Sequence, residues 1–207
     1  MYWNEFFIIA VAHLFAVASP GPDFAVVLKQ SVTGGTRVGV WTSLGVGSAI
    51  LLHVTYCVLG VAVLLTQSPM LFMLVRYLAA VYLLYLGVTA IRASFSSSDE
   101  REDVSSIVSV KPLQAFYVGF LTNGLNPKAT LFFLSLFTVV ISPTTPILVQ
   151  AGYGIYLAVA TFVWFAFLSV LLGREKFKRW MLQLGVWFER IMGFILILLA
   201  VQIAVFA

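Results

Sequence analysis

Charge is what this sequence has least of. Only 10% of its 207 residues are Asp, Glu, Lys or Arg, against 61% hydrophobic, and the mean hydropathy is +1.04. A soluble domain carries charge on about a quarter of its residues, so this scarcity excludes an ordinary water-facing surface and points to lipid as the main solvent. Cysteine is nearly absent: Cys57 stands alone in an apolar run, which excludes an internal disulfide and leaves a small buried hydrophobe. The net charge of +4 is not gathered into a basic face with interleaved polar residues, which excludes nucleic acid as a partner. Two histidines, His13 and His53, stand far apart with no acid or cysteine at ligand spacing, so no metal site is expected. With no nucleophile and base at a recognisable spacing either, no catalytic residue and no cofactor is assigned.

What the chain does have is long apolar runs. Six can be followed: Phe6 to Leu28, Val38 to Leu65, Met70 to Ile91, Leu113 to Val140, Pro146 to Leu172 and Met181 to Phe206. Each exceeds the roughly 20 residues a helix needs to cross about 30 Å of hydrocarbon. Backbone groups in lipid must be paired within their own segment, so the expected fold is an all-α integral membrane protein of six transmembrane helices. Ala16-Val17-Ala18 resembles a signal-peptide cleavage site, but residues 1–5 carry Glu5 and no Lys or Arg, so the first run is expected to stay as a span. The one clearly polar stretch, Ser94 to Ser109, reads as a linker. It divides a single membrane domain, 1–207, into halves of three spans, 1–93 and 112–207, joined through 94–111.

With six spans, the connections after spans one, three and five share one side of the membrane. That side collects nine basic residues (Lys29, Arg37, Arg92, Arg101, Lys111, Arg174, Lys176, Lys178 and Arg179), and the opposite side none. Positive loops stay in the cytoplasm, so both termini are expected outside it, in a multi-pass protein of the cell (inner) membrane. Arg76, Lys128 and Arg190 fall within spans, as does Glu189; a structural pairing or a lipid headgroup is the expected role of Arg76, Glu189 and Arg190.

An offset of about 107 residues aligns the halves, placing Pro20 on Pro127, Ser19 on Asn126, Gly45 on Gly152 and Gly47 on Gly154; one residue of slip then places Gly87 on Gly193. Three spans per half is an odd number, so the halves would insert as inverted repeats. The leading span of each is interrupted at the matched place, by Ser19-Pro20-Gly21-Pro22-Asp23 and by Asn123-Gly124-Leu125-Asn126-Pro127-Lys128. Paired interruptions of this kind point to the central site of a transporter. Pro20, Pro22 and Pro127 lack backbone donors and Gly21 permits a sharp turn, so these residues are the expected helix breaks. Asp23 is the only acid in the interior of the first half's spans, and its insertion cost of about 2.5–3.5 kcal/mol directs it to the bundle interior. Lys128 is its expected partner. An amino acid needs an acceptor for its ammonium, which Asp23 supplies, and donors for its carboxylate, which Lys128 and half-helix N-termini supply. Asn126 and Ser19 complete the candidate substrate and proton site; helix capping by Asp23 and snorkelling by Lys128 are the plainer alternatives.

Gly39, Ser43 and Gly47 recur every fourth residue, a small-residue stripe that lets helices approach closely; Gly45, Gly152 and Gly154 are read with it as packing positions. The Trp and Tyr residues near span ends read as interfacial anchors.

The motifs Ser19-Pro20-Gly21-Pro22-Asp23, Gly45-x-Gly47 and Asn126-Pro127-Lys128, in this order and at these positions, resemble the LysE/RhtB superfamily of amino-acid exporters, nearest its homoserine/threonine exporter branch. The similarity extends over essentially the whole chain. It implies efflux of threonine, homoserine or its lactone, driven by the proton gradient, across the cytoplasmic membrane. The expected partners are then the amino-acid substrate, a proton and the lipid bilayer, with a homo-oligomer left open. A carrier or channel for another small metabolite or ion is the alternative. A channel would show a repeated pore-lining ring, and a membrane-embedded enzyme would need the metal or nucleophile motifs that are missing.

Overall fold

A computed structural model describes residues 2–19, 21–95, 110–142 and 144–171, together with positions 187, 190, 191, 193–198, 200 and 201. Among the described residues the chain is helical, with α1 at Trp3–Ala18, α2 at Pro22–Gly34, α3 at Thr36–Gln67, α4 at Pro69–Ala93, α5 at Pro112–Gly124, α6 at Pro127–Val139 and α7 at Ile147–Leu171. The described positions between 187 and 201 are helical as well. Residues 96–109 of the expected linker and most of the sixth span, with Pro20 and Glu189, lie outside the described residues, as does the side chain of Arg76.

Proline decides where these helices begin. Pro22, Pro69, Pro112 and Pro127 each occupy the first turn of a helix. There the missing N–H has no intrahelical acceptor to lose and the ring presets φ. The interruptions of the first and fourth runs are therefore starts of new helices rather than kinks in continuing ones. α1 and α2 meet at an angle of 52° and together have the length and apolarity of one broken span. α3 and α7 each satisfy that test alone.

α3 lies at the centre, with α2, α5, α6 and α7 packed against it. Ile50 and Val54 of α3, Phe133 and Leu136 of α6, Leu157 of α7 and Leu196 share one buried cluster. The outer faces are equally apolar. α7 exposes Ile155, Val159, Val163, Phe167 and Val170, and α4 exposes Leu74, Leu78, Val81 and Tyr85. Both are stripes at helical spacing, which only a lipid environment makes favourable over such an area.

Small residues set how closely the helices approach. A Cβ on Gly45 would sit 2.0 Å from the Phe116 carbonyl oxygen of α5, and one on Gly119 would sit 2.1 Å from that of Thr42, so α3 and α5 touch backbone to backbone. Gly39 faces Ser31 and Ser169, Gly47 faces the Ala158 carbonyl, and Gly154 faces Val54. Ser43 Oγ lies 3.4 Å from Ser169 Oγ and donates to the Gly39 carbonyl at 2.8 Å. Gly152 departs from this expectation. It is exposed, and an added Cβ would meet no described atom within 4 Å, because the α7 turn that carries it turns that face outward. Gly87 and Gly193 meet reciprocally, each lacking the Cβ that would press on the other's carbonyl oxygen, at 2.7 and 2.6 Å.

Two further ties use the span ends. Glu5 at the start of α1 accepts from Ser142 N (3.0 Å) and from Thr145 Oγ1 (2.9 Å), with the Tyr153 hydroxyl at 3.3 Å, fastening α1 to the α6–α7 connection. Arg190 donates from Nε to Ser94 Oγ at 3.2 Å and stacks over Phe95 and Trp187, a structural pairing at the end of α4.

Candidate functional site

Both breaks open on one pocket. Ser19, Gly21, Pro22 and Asp23 line it from the α1–α2 break, and Asn126 and Lys128 from the break between α5 and α6. Asn126 is the N-cap of α6: its Oδ1 accepts from Lys128 N at 2.9 Å, satisfying a backbone donor that has no intrahelical acceptor. Asp23 sits in the first turn of α2, where the helix dipole favours a carboxylate.

The carboxylate of Asp23 is held from the opposite break. Asn123 Nδ2 donates to Asp23 Oδ2 at 3.0 Å and Asn126 Nδ2 donates to the same oxygen at 3.4 Å. Lys128 is near enough for its charge to act on Asp23, and its Nζ would lie 3.5 Å from a Cβ on Gly21. The carboxylate of Asp23 is thus tied to the second break by two asparagine amides, with the charge of Lys128 acting on it. The other carboxylate oxygen, Asp23 Oδ1, is buried with no hydrogen-bond partner among the described residues, and so is Asn123 Oδ1. An unmet buried acceptor costs about 1–3 kcal/mol, and two of them on neighbouring pocket residues define a place for a ligand with several protons to donate.

The rest of the wall is mostly apolar, including Val17, Phe24, Ile50, Phe132, Phe133 and Phe165. His13 and Thr161 add one polar patch. They are both buried and joined across α1 and α7 by a 2.9 Å bond between His13 Nε2 and Thr161 Oγ1.

Of the residues singled out in the sequence, Ser19, Gly21, Pro22, Asp23, Asn126 and Lys128 come together here. Pro127 begins α6 beside the pocket without lining it; Gly39, Ser43, Gly45, Gly47 and Gly154 lie in helix contacts elsewhere, and Gly152 on an exposed face of α7. Asn123, His13 and Thr161 belong to the site and were missed. Asn123 carries a readable signal, since it stands four residues before Pro127 at the end of a helix.

Two interrupted helices meeting at a polar cluster inside an apolar bundle are the arrangement of a membrane-embedded translocator. The chain belongs to the LysE type translocator family, which it matches over residues 14–206. It is 37% identical over 176 residues to the leucine efflux protein of Salmonella choleraesuis strain SC-B67, covering 83% of this chain and 77% of that protein. It is 24% identical over 188 residues to the threonine efflux proteins of Salmonella typhi and of Escherichia coli K12, covering 91% of each partner. No solved structure matches it.

Proposed function

We propose that this protein exports amino acids from the cytoplasm, binding them between the two helix breaks. The observation that carries the reading is the pair of buried oxygens, Asp23 Oδ1 and Asn123 Oδ1, that have no hydrogen-bond partner among the described residues. An α-ammonium has only protons to offer, and these oxygens only accept. The substrate carboxylate lies toward Lys128 and the N-terminus of α6, where a fixed cation and backbone donors favour an anion. The apolar wall suits an aliphatic side chain, in keeping with the relative that is named for leucine efflux. The His13–Thr161 patch favours a second substrate type, a hydroxylated side chain, in keeping with the relatives named for threonine efflux.

Asp23 also serves as the proton site. A carboxylate that holds either a proton or an ammonium, but not both, couples their movements through competition. Purified protein in liposomes, given a panel of labelled amino acids with and without a pH gradient, tests both parts. Leucine or threonine is expected to move, faster with the gradient. Transport of neither overturns the substrate reading, and rates indifferent to the gradient overturn the coupling.

The architecture of this reading is six spans in two inverted halves, 1–93 and 112–207, with both termini extracytoplasmic. Its support is that matched positions meet each other: Gly87 meets Gly193, and Gly21, offset by about 107 residues from Lys128, lies beside it. Residues related by a two-fold axis touch their own equivalents only at that axis. The nine-to-none distribution of basic residues supports the orientation. A label in the 99–103 loop is expected to react only from the cytoplasm and a reporter at Ala207 to register outside. A cytoplasmic C-terminus would remove one span and with it the inversion.

A further inference from the structure

Pro127 has a consequence four residues upstream. In a continuous helix the Asn123 carbonyl would accept from the N–H of residue 127, and proline has none. That carbonyl instead takes a local bond from Asn126 N at 2.9 Å and a second from across the bundle, with His53 Nε2 of α3 at 3.1 Å. His53 is completely buried. Its ring lies nearly parallel to that of Phe133, 9° apart with centroids at 5.4 Å, and its Nδ1 meets the Tyr56 hydroxyl. A carbonyl only accepts, so Nε2 carries the proton and Nδ1 of the neutral ring accepts from Tyr56. Partners on α3, α5 and α6 therefore fix both nitrogens and the plane of this imidazole.

We propose that His53 is a positioning residue for the substrate site, holding the broken end of α5 so that Asn123 offers Nδ2 to Asp23 and Oδ1 to the substrate ammonium. The inference rests on the reading of Asp23 and Asn123 as the ammonium site. The last turn of a helix is where carbonyls lack partners and the backbone frays. Asn123 lies in that turn, and α3, the central helix of the bundle, is the fixed frame to which His53 ties it. Without that tie the asparagine keeps its chemistry and loses its aim, and a binding group displaced by a fraction of an ångström binds weakly.

His53→Phe keeps a stacking ring and removes the N–H, whereas His53→Gln restores an N–H donor on a shorter plane. Each is compared with the wild type in liposomes, using the amino acid that the wild type transports and rates normalised to folded protein. His53→Phe is expected to raise the half-saturating concentration roughly tenfold, as loss of one well-placed hydrogen bond does, with the saturating rate within about twofold. His53→Gln is expected to recover most of that loss. Tyr56→Phe leaves the ring but frees its tautomer, and an intermediate rise, roughly threefold, is expected. The proposal is overturned if His53→Phe leaves half-saturation unchanged, whether or not the saturating rate falls, or if Gln performs no better than Phe. Should His53→Phe not yield folded protein, Tyr56→Phe decides, and unchanged half-saturation there overturns it. Asp23→Asn, run in parallel, separates the two levels: normal transport in that variant removes the ammonium reading and this inference together. Transport lost in Asp23→Asn but unaltered in His53→Phe removes the positioning role alone.

Discussion

Asp23→Asn is expected to abolish gradient-driven export while leaving expression and membrane insertion intact. The substitution keeps the shape of the side chain and can keep a contact with the amides of Asn123 and Asn126, which now donate to Oδ2 at 3.0 and 3.4 Å. What it removes is the negative charge, and with it the partner for an ammonium and the exchangeable proton. Removing one member of a buried charge pair costs about 2–5 kcal/mol, so a fall on the order of 100-fold or more in export is expected. Lys128 then faces the pocket without the carboxylate that its charge now acts on, which further disfavours a cationic group there. The measurement is uptake or efflux of labelled amino acid at several pH values, normalised to protein in the membrane. A normal rate with normal pH dependence would reduce Asp23 to a helix cap at the start of α2 and move the proton site elsewhere.

Helix bounds were legible because apolar runs end where proline and polar residues begin. The second, third and fifth runs, Val38 to Leu65, Met70 to Ile91 and Pro146 to Leu172, fall within two residues of α3, α4 and α7. Both breaks were legible from their prolines. What those prolines do was not: whether a proline kinks a helix or starts a new one depends on how the flanking segments pack. Asp23, Asn126 and Lys128 could be named because charge and amide are rare inside apolar runs. His13 and His53 were equally visible and read as isolated, since the partners that tie them to other helices are 148 and 70 residues away and depend on how helices cross. Asn123 stood inside a break already singled out. The i−4 rule, applied to Pro127, would have marked its carbonyl as lacking a donor. Matching Gly45 with Gly152 was sound as a pattern and unsound as packing, because a repeat preserves order along the chain and not the neighbour on each face.

That pair supplies the second large effect. Gly45→Ala is expected to destabilise the protein strongly, and Gly152→Ala is not. At Gly45 the new methyl would lie 2.0 Å from the Phe116 oxygen and 2.7 Å from the Phe120 nitrogen. Both are backbone atoms of α5, so no side chain can swing aside, and the helices must separate. Overpacking of this kind costs about 1–3 kcal/mol where neighbours can adjust, and the upper end or beyond is expected where they cannot. The separation also reaches the site. Gly119 of α5, four residues before Asn123, packs its own bare face on Thr42, whose carbonyl oxygen would lie 2.1 Å from an added Cβ, and His53 lies two turns along α3 from Gly45. Opening this seam draws His53 and Asn123 apart, so export should fall together with stability. At Gly152 an added Cβ meets no described atom within 4 Å, and replacing glycine inside a helix contributes about 0.5–1 kcal/mol in favour of the helix. Thermal denaturation of detergent-purified variants, with export measured alongside, checks the contrast. A Gly45→Ala protein as stable as the wild type would show that α3 and α5 are not in backbone contact. Equal losses at Gly45 and Gly152 would show that the outward face of α7 is covered by another protein surface rather than by lipid.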